Sequence, residues 1–242
     1  MWKSPLVYLV RNGRDVPQTM GELDPETIRR ATEGIVPVKV PPGTFDGMKG
    51  SYYPVRTPEQ AAEALLIMLG VYQYGDTTSH MADTPRRFVQ SLRELTTSDK
   101  DWKFTTFPAT SDEMVVVSQI PFYTLCAHHV IPFYGYAHIG YVPDELIAGL
   151  SKFARLVKNM AKGLWVQEEL TGAVADGIEA HLNPKGVAVV LEGEHMCMSM
   201  RGVQTPGAIT TTSSMRGVFG DHGRTAKQEF MQIIAPRRRG NG

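Results

Sequence analysis

The chain has 242 residues, of which 42% are hydrophobic and 21% are charged. These proportions are typical of a globular enzyme and exclude a disordered chain, a collagen-like chain and a disulfide-stabilised scaffold. The 25 basic and 25 acidic residues give a formal net charge of +0. Because nucleic acids and anionic membranes attract clustered positive charge, we expect neither as a partner. A chain of this length can bury a large core without a metal, so a bound metal would more naturally serve chemistry.

The first 56 residues are rich in proline and glycine and lack a sustained hydrophobic period. We therefore expect an irregular extension over 1–56. The apolar stretch Leu6 to Val10 is shorter than the core of a signal peptide, and no window approaches the roughly 18 apolar residues of a membrane span. The sequence predicts a cytoplasmic protein in which two cysteines stay free.

Two helix starts follow this extension. Thr57-Pro58-Glu59-Gln60 supplies an N-cap, a proline at the first helical position and a capping-box glutamine. Thr84-Pro85 precedes apolar residues at steps of four and three, which lie on one face of a helix. These signals predict an N-terminal helical region over 57–110.

The pattern changes to an α+β order after residue 110. Strand patterns at Met114–Val117, Tyr136–Val142 and Val187–Leu191 enclose two helical stripes within Gly149–Leu182. We expect an antiparallel sheet with two central helices in a catalytic domain over 111–235. The arginine-rich end, 236–242, is expected to be a basic flexible tail.

The segment from His195 to Arg201 alternates polar residues with methionines. As a strand it would place His195, Cys197, Ser199 and Arg201 on one face and the methionines in the core. An imidazole, a thiol and a guanidinium in a row are costly to bury without partners. The alternation therefore predicts the wall of a site that holds a metal and an anion.

Both cysteines lie beside histidines, in Cys126-Ala127-His128-His129 and in His195-Met196-Cys197. A catalytic zinc takes three protein ligands, and Cys126, His129 and Cys197 would supply a Cys₂His set. Thiolates favour zinc over harder metals. Two alternatives stay open: a closed structural zinc with His128 or His195 as fourth ligand, and two buried cysteines beside core histidines.

A cationic cluster follows Ser151. Lys152 and Arg155 are three residues apart near a predicted helix N-terminus, an arrangement that suits phosphate. An ordinary solvated basic face would look the same in sequence. Gln167 and Glu168, at the junction of the two central helices, could read a base edge, although surface polar residues look alike.

Five motifs in order resemble the GTP cyclohydrolase I family. They are Leu125-Cys126-Ala127-His128-His129, Pro132-Phe133-Tyr134-Gly135, Ala137 to Pro143, Gly149 to Arg155, and Glu194 to Gly202. The resemblance implies a tunnelling fold, with an antiparallel sheet that carries two central helices on one face. It also implies a homodecamer of two pentamers, with active sites at subunit junctions.

The same resemblance implies hydrolysis of GTP to 7,8-dihydroneopterin triphosphate and formate, with Zn²⁺ at the two cysteines and His129. The product would feed folate, another pterin or a 7-deazaguanine base. The implied roles fall into three groups: His128, His195 and Ser151 as acid/base or proton-transfer residues; Gln167 and Glu168 for the guanine; Lys152, Arg155, Arg201 and Arg87 for the triphosphate.

Two other functions compete with this interpretation. A tunnelling-fold nitrile reductase would use a nucleophilic cysteine and a nicotinamide cofactor, but it would not need a second cysteine paired with His129. A catalytically inactive scaffold with a closed structural zinc would not need His128, His195, Ser151 and the cationic cluster together. The residues therefore favour the cyclohydrolase.

Overall fold

The computed structural model describes residues 57–72, 79–220 and 224–235, together with the backbone of four strands among the first 56 residues. The chain divides into two compact units, Met1–Arg93 and Glu94–Gly242. The predicted basic tail, 236–242, lies outside the described residues.

The first unit contains two antiparallel strand pairs within the segment that was expected to be irregular. Strand β1 (Leu6–Arg11) pairs with β2 (Arg14–Thr19), and β3 (Val36–Lys39) pairs with β4 (Tyr52–Val55). Three of these strands contain a proline, and proline within a hydrophobic run argues against a strand, so the sequence did not predict them. In a two-stranded sheet both strands are edges, where proline is tolerated because one side of each strand makes no ladder hydrogen bonds.

Both predicted helix starts are confirmed. Helix α1 (Pro58–Met68) has the complete capping box: the Thr57 hydroxyl accepts from the Gln60 N–H, and the Thr57 N–H donates to Gln60 Oε1, both at 3.2 Å. Helix α2 (Thr84–Thr96) begins at the second predicted start.

The second unit is built on a five-stranded sheet of order β11-β10-β7-β6-β9. All pairings are antiparallel except the parallel pair β6 and β9, and β5 and β8 form a separate antiparallel pair. The strands are β5 (Thr106–Pro108), β6 (Val115–Cys126), β7 (Pro132–Val142), β8 (Leu146–Ala148), β9 (Leu164–Trp165), β10 (Gly186–His195) and β11 (Ile209–Gly217). Strand β11 was not predicted, because its Thr- and Ser-rich sequence has no apolar alternation.

Helices α3 (Leu150–Met160) and α4 (Gln167–Leu182) pack on one face of this sheet and form the main core with it. Most of the predicted apolar stripes are buried, but Met160 is only half-buried and Leu164, which lies beyond α3 in β9, is 50% exposed. The fully enclosed side chains include Phe153, Leu156, Leu170, Val174 and Ile178 from the helices and Phe133, Ile139, Val189 and Leu191 from the strands. Each such side chain contributes about 1.5–3 kcal/mol by burial. The predicted α+β arrangement, with two helices on one face of an antiparallel sheet, is confirmed.

The strand predicted from His195 to Arg201 is wrong. Strand β10 ends at His195, and a single helical turn, α5 (Met196–Ser199), follows it. Met198 and Met200 are 39% and 66% exposed, so they do not pack in the core. Seven alternating residues fit a strand, but the hydrogen bond from the Met200 N–H to the Met196 oxygen shows that the chain turns here.

The opposite face of the sheet carries a smaller core beneath the last helix, α6 (Arg224–Ile234). Its buried members are Ala188, Val190, Phe219 and Phe230. None of the helices in the described ranges has the length and apolarity that a membrane span requires.

His138 lies on this opposite face and is 1% exposed. Neither ring nitrogen forms a hydrogen bond with another described residue, and Nε2 lies 3.4 Å from Glu192 Oε2. Burial lowers the pKa of His138, an effect that the Glu192 charge opposes. The folded protein therefore holds this imidazole neutral where the unfolded chain would begin to protonate it.

This difference predicts a pH-dependent stability. Because the pKa of His138 is lower in the folded state than its unfolded value of about 6.5, unfolding takes up a proton at mildly acidic pH. The free energy of unfolding should be fully retained above about pH 6.5 and should fall as the pH drops below it. Urea titrations between pH 7.5 and 5 should show a shallower fall for His138→Leu, whereas exposed His80→Leu should match the wild type. Equal slopes in all three proteins would contradict the prediction.

Candidate metal centre and active site

Three side chains that could bind a metal meet where β6 and β10 end. Cys126 is the last residue of β6, His129 lies in the turn that follows, and Cys197 lies in α5 directly after β10. The two Sγ atoms and a ring nitrogen of His129 all lie within 4.8 Å of one another. The structure thus brings together the three residues that the spacing selected.

The turn after β6 is shaped by backbone hydrogen bonds. The Val130 N–H donates to the Cys126 oxygen at 2.8 Å, and the Cys126 N–H donates to the Ile131 oxygen at 2.9 Å. The Ala127 N–H donates to the Trp165 oxygen at 3.0 Å, which holds the turn against β9. The hydrogen bond from Val130 to Cys126 closes the turn that contains His129, and the φ of 54° at Val130 directs the chain from this turn into β7.

The donor set fits a soft divalent metal. Tetrahedral donors at 2.0–2.3 Å from one ion lie about 3.3–3.8 Å apart, so a shared ion requires these atoms to draw together by up to about 1 to 1.5 Å. Burial and then the neighbouring Cys126 raise the pKa of the Cys197 thiol. A cation would reverse that effect by stabilising both thiolates, and its binding would release their protons.

His128 and His195 are not members of this group among the described residues. His128 Nδ1 lies 4.0 Å from Cys126 Sγ, as does His129 Nδ1. The geometry therefore favours three ligands and an open fourth position over a closed site, because neither additional histidine approaches all three ligand atoms.

His195 is instead held by Gln167, which is 2% exposed. Gln167 Oε1 lies 2.8 Å from His195 Nε2, and Gln167 Nε2 donates to the Thr210 oxygen at 2.9 Å, the Leu191 oxygen at 3.2 Å and Thr212 Oγ1 at 3.1 Å. Two carbonyl acceptors fix the orientation of the amide, so His195 Nε2 must be the donor. Nδ1 is then the nitrogen left for proton exchange.

Packing also fixes the His195 ring. Phe133 stacks on it with ring centroids 4.3 Å apart and an interplanar angle of 5°. Burial lowers the pKa of His195, and the negative charge of Glu168 raises it in part. The sequence carried no separate signal for the supporting residues Thr210 and Thr212, since a Thr-rich strand is common without such a role.

Gly193 makes room for this network. A Cβ atom at this position would lie 2.7 Å from Gln167 Oε1, inside van der Waals contact. The absence of a side chain on β10 therefore lets the amide reach His195.

The predicted phosphate-binding residues occupy other elements. Ser151 and Arg155 are exposed in the first turns of α3, and Lys152 Nζ donates to the Lys103 oxygen at 3.0 Å. Arg201 is exposed in the segment after α5. Arg87 lies in α2, in the first unit, where its Nε is 3.5 Å from Asp83 Oδ2.

Comparisons with known proteins agree with these features. A family model described as GTP cyclohydrolase I matches residues 59–235. GTP cyclohydrolase 1 of Mycolicibacterium paratuberculosis is 46% identical over 183 residues, covering 73% of this chain and 87% of that protein. GTP cyclohydrolase 1 of Hydrogenobaculum sp. is 43% identical over 178 residues, covering 73% and 97%.

Among solved structures, the archaeosine synthase QueF-Like in the apo form is similar with a TM-score of 0.37 and 16% identity, over 45% of this chain and 97% of that one. This likeness is too low to support an argument. The family match and the identities define the chain as an enzyme of the cyclohydrolase class. The chain belongs to the GTP cyclohydrolase I family.

The Gly193 observation gives a direct test of the His195 network. Gly193→Ala should push the Gln167 amide away from His195 Nε2, because the new methyl group occupies the space of Oε1. We expect the rate to fall about 10²-fold or more, the contribution of one positioned acid/base group, with the metal content unchanged. Metal analysis and turnover of the purified variant check this, and Gly172→Ala, where a Cβ meets nothing within 4 Å, is the matched control. Normal turnover of Gly193→Ala would show that the amide contact is dispensable.

Proposed function

We propose that this chain hydrolyses GTP to 7,8-dihydroneopterin triphosphate and formate with zinc bound by Cys126, His129 and Cys197. The observation that carries the proposal is the compact Cys-His-Cys group beside a histidine that is oriented separately by Gln167. Zinc in this position would supply Lewis-acid activation of the attacking water. Two soft sulfur donors and an imidazole favour zinc over magnesium or calcium.

The protein residues divide the proton transfers between them. His195, with Nε2 held by Gln167 Oε1, exchanges a proton with the guanine ring through Nδ1. His128 lies beside the ligand group and serves as the second acid/base residue. Ser151 assists proton transfer while the opened ribose rearranges, the role that the family resemblance assigns to it.

Guanine recognition falls to Glu168 and Gln167. Glu168 is exposed, and its carboxylate can accept two hydrogen bonds from the ring N–H and the amino group of guanine. Both Gln167 N–H groups are engaged within the chain, so its contribution to the base is limited to the remaining lone pair of Oε1. The main role of Gln167 is therefore to orient His195.

In this proposal Lys152, Arg155 and Arg201 hold the triphosphate, and Arg87 is a further candidate that rests on the family resemblance alone. Gly149, the N-cap of α3, provides no side-chain cap, and the Lys152 N–H donates to the Gly149 oxygen, so the N–H groups of Leu150 and Ser151 are the ones that could bind an anion. We further propose that the enzyme acts in the cytoplasm as a homodecamer of two pentamers, with residues from neighbouring subunits completing each site. Its product would enter pterin, folate or 7-deazaguanine synthesis.

The ligand variants test the metal assignment. Purified protein incubated with GTP should release formate and, after oxidation, give a fluorescent pterin. Cys126→Ser, His129→Ala and Cys197→Ser should each lose zinc and activity together, because a three-ligand site has no spare donor. His128→Ala is the matched control from the same turn and should keep its zinc while losing activity. Stoichiometric zinc with normal turnover in any ligand variant would remove that residue from the site.

The phosphate assignment predicts a strong preference for GTP over guanosine. Each charge-assisted bond from Lys152, Arg155 or Arg201 is worth about 1.5–3 kcal/mol, so the two substrates should differ by several kcal/mol in kcat/KM. Steady-state kinetics with both substrates measure this difference. Equal efficiency would mean that the basic residues face solvent while the hydrolysis itself could still occur.

A further inference from the structure

Glu194 holds three hydrogen-bond donors from three different parts of the second unit. Oε1 accepts from Ser199 Oγ at 2.7 Å and from the Gly207 N–H at 3.0 Å, and Oε2 accepts from the Tyr134 hydroxyl at 3.3 Å. We refer to these four residues as the Glu194 cluster. It joins β10 and β7 to the end of α5 and to the segment that leads into β11.

Apart from Cys197, which packs partly buried against the main core, α5 and the segment after it contribute no side chain to the described cores. Helix α5 is a single turn with no buried residue and no side-chain cap, and one isolated turn is unstable because helix nucleation is costly. Residues 201–209 are all exposed, so no apolar side chain anchors them. The Thr205 N–H donates to the Met198 oxygen at 3.1 Å, which ties this segment to α5, and the pairing of Ile209 with Glu194 ties its end to β10.

The carboxylate of Glu194 can hold these three donors at once because it is ionised. The N–H of Gly207 and then the hydroxyl of Ser199 lower the pKa of Glu194, so the group stays ionised at neutral pH. An ionised carboxylate is an acceptor at both oxygens and can hold all three donors together. Glu192, two residues earlier on the same face of β10, has no such set of donors among the described residues; its Oε2 lies 3.4 Å from Nε2 of the neutral His138.

We propose that Glu194 is a positioning residue that fixes Cys197 and Arg201 at once, by clamping the turn and the following segment that carry them. This inference rests on the proposed function, in which Cys197 binds the metal and Arg201 binds the triphosphate. Glu194 touches neither the metal-ligand group nor the predicted phosphate contacts. Its effect is exerted through Ser199, two residues after Cys197, and through Gly207, at the far end of the segment that begins near Arg201.

Four variants of the full chain test the clamp: Glu194→Ala, Glu194→Gln, Ser199→Ala and the matched control Glu192→Gln. In metal-free protein, amide hydrogen exchange over 196–208 should be at least about tenfold faster in Glu194→Ala, because the anchor is lost. In zinc-loaded protein, transfer of zinc to a chromogenic chelator should accelerate about 10–100-fold, the usual effect of losing a residue that supports a ligand. Ser199→Ala should show a smaller change of the same kind.

Kinetics separate positioning from general stability. With excess zinc present, Glu194→Ala should recover most of its kcat but retain a KM for GTP about tenfold higher, because Arg201 remains misplaced. Glu194→Gln keeps one carbonyl acceptor and should restore most of each property, and Glu192→Gln should match the wild type throughout.

Two results would overturn the clamp. One is wild-type hydrogen exchange and zinc retention in Glu194→Ala; the other is a lowered thermal midpoint with no local change over 196–208. The exchange and chelator measurements require no turnover, so they judge the clamp even if the wild-type protein releases no formate from GTP, the result that would reject the proposed function instead.

Discussion

The site depends on the position of β7 between β6 and β10. Because β7 is antiparallel to both, β6 and β10 run in the same direction and end at the same edge of the sheet. The register places Leu125 opposite Pro132 and His195 opposite Phe133, so Cys126 and His195 arrive at the same level. A Cβ at Gly135 would lie 1.8 Å from the Glu192 oxygen, so the close pairing of β7 and β10 requires glycine at this position. The ligands that follow the two strands meet because the sheet brings their ends together.

Polar contacts then set the orientation of the side chains that the sheet brings to this edge. The buried Gln167 amide has partners for both its nitrogen and its oxygen, and Phe133 packs flat on the ring that it orients. A buried amide of this kind stabilises one arrangement only, because any other leaves an unpaired polar group. Support from Glu194 differs in kind, since it acts on a mostly half-buried turn, in which Cys197 packs against the main core, and on the exposed segment that follows. The centre thus combines a half on β10 and α4, where buried polar contacts orient His195, with a half-buried turn, α5, that carries Cys197.

Local signals in the sequence predicted the elements that carry strong periodicity or caps. The Thr57 capping box defined α1 because both reciprocal hydrogen bonds involve residues three apart. The apolar stripes of α3 and α4 defined the main core for a similar reason. Elements without such signals were missed: β11 is rich in Thr and Ser, and the prolines of β2, β3 and β4 argued against strands although edge strands accept them.

The sequence by itself determined which residues to consider: two cysteines, each within three residues of a histidine, indicated the Cys126, His129 and Cys197 set that the structure brings together. It also determined the α+β class, because hydrophobic periodicity is a local property of the chain. Only the tertiary structure decided the arrangement around those ligands. The alternation of polar residues and methionines predicted a strand with Cys197 and Arg201 on one face. The chain instead turns into α5 after His195. Gln167 bonds to a residue 28 positions away and Glu194 to one 60 positions away. Such partners depend on strand register and helix packing over the whole unit, and no local pattern records them.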